Sequence, residues 1–417
     1  MYLLDFLIRR NICFYKIKTP ELRFIEFEDN YEETFLKNIV KIPKKEKITS
    51  VDDKKLLTVK LHAKGIEINE GVVPKLSKKG RPYYIRNANE ILIGRQNFHN
   101  GGIGIVPEEL DGGICSNAIT SFINNRNIVS IKFLFYYLSR SSYYKRSEKY
   151  VGGTGQKEFS EKILLDLKIK IPSLEEQEKI SSFLSIMDKK LFLMEKKHSL
   201  YVDIKKYFIK NIFHDINEES TDNCLIDNVK WKQLKLKDII KKGKAGGTPK
   251  SSVKKYYNGN IPFLSINDMT KEGKYITYTE KTMSKLGLEN SSAWIVPEKS
   301  LLYSMYASVG FVSINNISLA TSQAIFSIIF KDDVDLEFMY YYLTFYKKYI
   351  HRYIETGTQQ NLKAETIKNF KIKIPPLEKQ EKISKFLSSI DKYIQIYEQD
   401  LNNLKKYKKG LLQKMFI

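Results

Sequence analysis

Residues Lys168–Lys189 read KIKIPSLEEQEKISSFLSIMDK, and Lys371–Lys392 read KIKIPPLEKQEKISKFLSSIDK. Seventeen of the 22 positions are identical, and the offset of 203 is close to half of the 417 residues. A period this long lies far outside the roughly 20–50 residues of solenoid repeats. It predicts two whole units in tandem, each closing with the same passage from strand through proline into helix.

Downstream of each passage the apolar residues fall alternately four and three apart. The first set is Ile180, Leu184, Met187, Leu191, Met194, His198, Tyr201, Lys205, Phe208 and Ile212. The second is Ile383, Leu387, Ile390, Ile394, Tyr397, Leu401, Leu404, Lys408, Leu411 and Met415, with a lysine intruding at the same phase. This is the seam of a coiled coil. Pro172 and Pro375 precede the helices, where a proline costs no internal hydrogen bond. Ser173 and Glu176 have the spacing of a capping box, in the first copy only. Each helix of about 40 residues would run roughly 60 Å. Such a helix needs a partner for its stripe, and the other copy is at hand. The expectation is an antiparallel pair with pseudo-two-fold symmetry.

The repeat extends upstream. Tyr31, Leu36 and Ile39 match Trp231, Leu236 and Ile239. The run from Ser116 to Ser121 matches that from Ser322 to Ser327, and Phe133, Tyr136, Tyr137 and Leu138 match Phe338, Tyr341, Tyr342 and Leu343. GTGQ at 153–156 faces TGTQ at 356–359. Between these anchors the halves diverge. Short β-branched and aromatic runs such as EILIGR and AIFSIIF alternate with Gly, Asn and Pro, which predicts mixed α/β interiors. A tyrosine-rich helical segment follows in each. The fold class is α+β, with two such domains and two long helices. The boundaries are an N-terminal extension 1–18, a first domain 19–173, a central helix 174–213, a linker 214–228, a second domain 229–376 and a C-terminal helix 377–417.

The formal net charge is +22 and the pI near 9.4, with an ordinary hydrophobic share of 42%. That excess points to a polyanionic partner, foremost nucleic acid. Cys13, Cys115 and Cys224 stand alone, without metal or disulfide spacing, as expected of reduced thiols. No run approaches the ~20 apolar residues of a membrane span. MYLLDFLIRR places its basic pair after the apolar stretch, the reverse of a signal peptide. Neither a P-loop, HExxH nor GxSxG occurs, and the five histidines lack metal spacing. GGIG at 101–104 reads as a turn.

The strongest contact candidate is the run from Lys241 to Lys255, with six lysines and no acid. Lys244, Lys250, Lys254 and Lys255 offer charge, Thr248 and Ser251 hydroxyls, and Gly246 and Gly247 a backbone open to a phosphate. In the first half, Arg95, Gln96 and Asn97 follow the strand EILIG and are residue types that read base edges. Ser304 and Tyr306 take the matching place in the second. Gln156 and Gln359 recur, which suggests a shared, sequence-neutral role such as a phosphate contact. The helix-pairing set is Ile180, Leu184, Met187, Leu191, Met194, Ile383, Leu387, Ile390, Ile394, Leu401 and Leu404.

Taken together, PELRF with Tyr31, WKQLKLKDIIKKGKAGGTPK, YNGNIPFLSINDM, IPPLEKQEKISKFL and the closing KKGLLQKMF, echoed by KKYFIKNIF, resemble the specificity subunit of type I restriction-modification enzymes. The resemblance runs from about Thr19 to Ile417, although GGTP is intact only in the second half. It implies that each interior is a target recognition domain for one half of a split double-stranded DNA site. The helices would be a spacer on which two methyltransferase subunits dock, with restriction subunits joining that core. S-adenosylmethionine, Mg²⁺ and ATP would belong to those partners and none to this chain, which would act without catalysis in the cytoplasm. The alternative is a coiled-coil adaptor without sequence-specific DNA binding.

Overall fold

The computed structural model describes residues 8–10, 19–76, 82–151, 158–214, 231–353 and 361–417. The chain forms two compact units: Met1–Glu195 with Gln399–Ile417, and Lys196–Glu398. Each unit therefore holds the start of one long helix and the end of the other. Of the expected linker 214–228, His214 ends the central helix, and 215–228 lie outside the described residues, as do Gln156 and Gln359.

In the first unit a four-stranded antiparallel sheet runs in the order Val40–Lys41, Ile119–Asn124, Ile91–Gly94, Ile103–Ile105. In the second, the strands Ile240–Ala245, Ile325–Phe330, Leu301–Ser304 and Val312–Asn315 repeat that order, and Tyr275–Ile276 adds a parallel edge. The order survives although the interiors share almost no sequence. The second unit adds a three-stranded sheet of Lys281–Met283, Tyr257–Leu264 and Ala320–Thr321, which has no counterpart among the described residues of the first. Within the extension, Ile8–Arg10 pairs with Leu22–Phe24.

The KIKI segments are strands. Lys168–Ile171 pairs with Glu32–Phe35, and Lys371–Ile374 with Lys232–Lys235. Alternation puts Ile169, Ile171, Ile372 and Ile374 into the core, each at most 6% exposed, with the lysines outward. The strand thus ties each unit's beginning to its end just before the long helix.

The tyrosine-rich segments differ. Leu336–Tyr346 is one helix that tightens into a 3₁₀ stretch, Lys347–Tyr353. The first copy breaks into Ile131–Ser139 and Ser141–Ser147, because Arg140 is extended at ψ 128°. Its guanidinium lies 4.1 Å from the Tyr137 ring centroid and donates to the Ile417 carbonyl at 3.2 Å.

The long helices are Leu174–His214 and Leu377–Lys414. Every seam residue named above is buried or half-buried. In the first unit Ile180, Leu184 and Met187 share a core with Leu411, Met415 and Phe416. In the second, Ile383 and Leu387 share one with Ile212 and Phe213. Both contact sets run antiparallel: Asp188 meets Lys408 and Glu195 meets Lys405 in the first unit. In the second, Tyr201 stacks on Tyr397 at 5.4 Å and Phe208 meets Phe386 at 4.8 Å.

The capping box at Ser173 is half formed. Ser173 accepts from the Glu176 N–H at 3.4 Å, but the Glu176 carboxylate turns away to Arg23 at 2.7 Å and to the Tyr31 hydroxyl at 3.0 Å. Arg23 and Glu176 are 4% and 1% exposed, and a buried pair outweighs a cap.

Candidate nucleic-acid interface

In the second unit the turn Ser322–Ala324 gathers three loops. The Gly246 N–H donates to Ile325 O at 3.0 Å and the Gly247 N–H to Thr321 O at 2.9 Å. Met305 N donates to Ala324 O at 2.8 Å, and Leu362 N to Met305 O at 3.0 Å. The Thr248 hydroxyl bonds the Gln323 amide oxygen. Thr248, Gln323 and Tyr306 are exposed on this rim, next to the chain that leaves residues 354–360.

Lys244 is exposed on the strand Ile240–Ala245, and Lys250, Ser251, Lys254 and Lys255 are exposed on the segment after it, which the Tyr257 hydroxyl closes by donating to Pro249 O at 2.7 Å. Of this run, Lys241 alone has a carboxylate partner among the described residues, Asp332 at 3.7 Å. Lys242 lies 4.3 Å from the Trp294 ring centroid. A lysine surface of this kind suits phosphates.

The two glycines play another part than the one expected. Both are buried, and both N–H groups are spent inside the protein. A Cβ on Gly246 would sit 2.1 Å from Thr321 O, and one on Gly247 2.3 Å from Ser292 Oγ. Glycine is needed because the loop packs on its own neighbours, not because its backbone faces a ligand. Ser304 is likewise removed from the surface: it is fully buried, and its hydroxyl donates to Tyr306 O at 2.8 Å.

The first unit builds the same junction from other side chains. Arg95 N donates to Ala118 O, and Phe159 N to Arg95 O, both at 3.1 Å. The Arg95 guanidinium is half-buried and pairs with Glu158 at 2.8 Å, so it is free for a base edge only if Glu158 lets go. Gln96 is half-buried and Asn97 exposed. Gly101, at φ +74°, ends the short Phe98–Asn100 helix as the GGIG turn requires. Asn117, exposed at the place of Gln323, joins this rim. Sequence reading passed over both residues. Their signal was the recurring Ser-Asn-Ala-Ile and Ser-Gln-Ala-Ile turn.

Behind each rim the frame repeats residue for residue. Gln177 donates to Pro172 O at 2.9 Å and accepts from Ser130 N at 3.0 Å. Gln380 donates to Pro375 O and accepts from Asp335 N, both at 2.9 Å. Tyr136 donates to Asp188 at 2.7 Å, and Asp188 pairs with Lys408. Tyr341 donates to Asp391 at 2.6 Å, and Asp391 pairs with Lys205 at 2.5 Å. The intruding seam lysines are thus the cations of two clasps that join globular helix, own long helix and second long helix. Burial, then the aspartate in each case, pushes the Tyr136 and Tyr341 hydroxyls up. The second clasp gains Lys274, from the diverged interior, at 2.6 Å from Glu337 and 3.6 Å from Asp391.

Among the described residues no three His, Cys, Asp or Glu side chains are grouped as metal ligands would be. No described helix is long and apolar enough to cross a membrane. Cys115 is buried, and desolvation pushes its thiol up to about 12.

Comparison with known proteins agrees with the internal repeat. The family described as Type I restriction modification DNA specificity domain matches residues 28–200 and again 228–406. The chain is 31% identical over 192 residues to the type I restriction enzyme MjaIX specificity subunit of Methanocaldococcus jannaschii, covering 45% of this chain and 44% of that one. It is 24% identical over 413 residues to the MjaVIII specificity subunit of the same organism, covering 96% and 95%. Among solved structures it is similar to the type I restriction-modification S subunit from M. genitalium, with TM-score 0.62, 15% identity, and coverage of 96% and 99%.

Proposed function

The chain belongs to the type I restriction-modification specificity-subunit family, whose members are non-catalytic, and from that premise we propose that each unit reads one half of a bipartite DNA target. The observation that carries this is the pair of rims: one backbone junction, built twice, with different side chains around it. Equivalent placement suits one duplex. Different side chains suit two different half-sites, since base contacts specify and phosphate contacts position. Tyr306, Gln323 and Thr248 in the second unit, and Asn97, Asn117 and Gln96 in the first, are the side chains placed for that work. Lys244, Lys250, Lys254 and Lys255 serve the backbone.

The long helices act as spacer and as docking surface for two methyltransferase subunits. Exposed apolar side chains support docking. Ile186, Leu193, Leu200 and Tyr207 are 67%, 49%, 58% and 58% exposed and stand seven residues apart in the sequence, the spacing a partner helix would use. S-adenosylmethionine, and Mg²⁺ and ATP where restriction subunits join, are held by those partners in the cytoplasm. Mapping methylated adenines across the genome with and without this gene tests the reading. The expected result is loss of one split motif. Retention of every motif overturns it, and DNA binding by the methyltransferase subunits alone, equal to that of the complex, would favour a plain adaptor.

A further inference from the structure

A cleft of about 560 Å³ in the first unit lies between the segment from Arg140 to Tyr150, the strand Lys168–Ile171 and the last residues of the chain. Its charged side chains are Arg140, Arg146, Lys149, Lys168 and Lys170 against one side-chain carboxylate, Glu33, and the Ile417 main-chain oxygen also lines it. Glu33 is already engaged by Lys168 at 2.8 Å. Arg140 forms the floor at 6% exposure, held by the carbonyls of Tyr137 at 3.0 Å and Ile417 at 3.2 Å and by the faces of Tyr137 and Phe416. Arg146 and Lys149 stand exposed at the mouth.

Three cations, Arg146, Lys149 and Lys170, share one concavity beyond the Glu33–Lys168 pair and the engaged Arg140. A low-dielectric wall focuses their field and draws an anion in. At about 560 Å³ the cleft is too small to take in a duplex, but it suits one phosphodiester. It cannot carry sequence information. Lys168 and Lys170 recur as Lys371 and Lys373 in a unit whose interior differs, and basic residues, Lys347, Lys348 and Arg352, again end the tyrosine-rich segment there. Glu33 is replaced by Gln233. Residues common to both units suit what both half-sites share, the backbone. The first unit's stretch at the place of that lysine run, residues 41–55, has Glu46, Asp52 and Asp53 among its lysines, and Lys45 is engaged by Glu161.

We propose that this cleft seats a phosphodiester of the bound DNA and is the phosphate anchor of the first unit, an assignment that rests on the DNA-reading function above. The test is equilibrium binding of a bipartite duplex by the full complex with its methyltransferase subunits, across a salt series. Arg146→Gln with Lys149→Gln should lower the salt slope by about 2, about 1 per cation, and weaken cognate and unrelated duplexes by the same factor. Arg146→Lys with Lys149→Arg should keep the slope. A wild-type complex without preference for a bipartite duplex sinks the DNA-reading function itself. A wild-type preference with an unchanged slope in the neutral variant overturns the cleft alone. So does a neutral variant that fails to assemble with the methyltransferase subunits, which would make the cleft a protein contact.

Discussion

Gly246 shows what a residue type conveys and what it withholds. The sequence shows a missing side chain in a lysine-rich run, and a phosphate is the natural guess. It cannot show that Thr321, 75 residues on, fills the space. Gly246→Ala should therefore act on stability. Overpacking costs about 1–3 kcal/mol, read as a lower unfolding midpoint of the second unit at unchanged salt slope. Lys250→Ala with Lys254→Ala should do the reverse, flattening the slope by about 2 at unchanged midpoint. Ser304 and Glu176 were misread for the same reason, since their partners lie across the fold. Removing one member of a buried ion pair leaves the other uncompensated, so Glu176→Ala should cost about 3–5 kcal/mol, measured by denaturant unfolding. Glu176→Gln, which keeps the shape, should also destabilise, because Arg23 remains charged. A loss under 1 kcal/mol in both would mean that Arg23 finds water instead.

At the scale of elements the sequence was far more legible. Heptad spacing is a local pattern, and every position it marks, the two lysines included, is buried or half-buried. What it could not supply was why a lysine belongs there. Asp188 and Asp391 answer that, and they also differ. Among the described residues Asp188 has Lys408 as its one ion-pair partner, while Asp391 has both Lys205 and Lys274. Lys408→Met should therefore destabilise more than Lys205→Met, about 1–3 kcal/mol against less than 1, and equal losses would argue against the clasps. Buried tyrosines, on the tyrosine-rich segments and at Tyr303 on the strand Leu301–Ser304, add a pH dependence. Burial pushes the hydroxyls of Tyr143, Tyr303, Tyr342 and Tyr346 up, as it does Tyr136 and Tyr341. Below the ordinary phenol value near 10 neither state ionises and that stability is fully present. Above it the unfolded chain loses protons that the native one keeps, so stability falls as pH rises. Phenolate absorbance should appear late and together with loss of helical circular dichroism. A gradual titration centred near 10, with the helices intact, would show these hydroxyls reaching solvent.

At the scale of the whole chain, duplication makes a length experiment possible. The two long helices carry equivalent clasp residues: Asp188 and Lys205 are 17 positions apart on the first, as are Asp391 and Lys408 on the second. Deleting one heptad from only one helix would shift one lysine away from its aspartate. Deleting 191–197 together with 394–400 removes seven matched positions, keeps the 4,3 phase and brings each aspartate–lysine interval to the same shorter value. Both clasps can then still close. At 1.5 Å per residue each helix loses about 10 Å, which is about 3 base pairs at 3.4 Å each. If the helices set the separation of the half-sites, the paired deletion should shift the methylated motif to a gap about 3 base pairs shorter with both half-site sequences unchanged. The single deletion should lose methylation rather than shift it. Methylome sequencing reads both outcomes. The original gap after the paired deletion would place the ruler outside these helices, in the docked subunits.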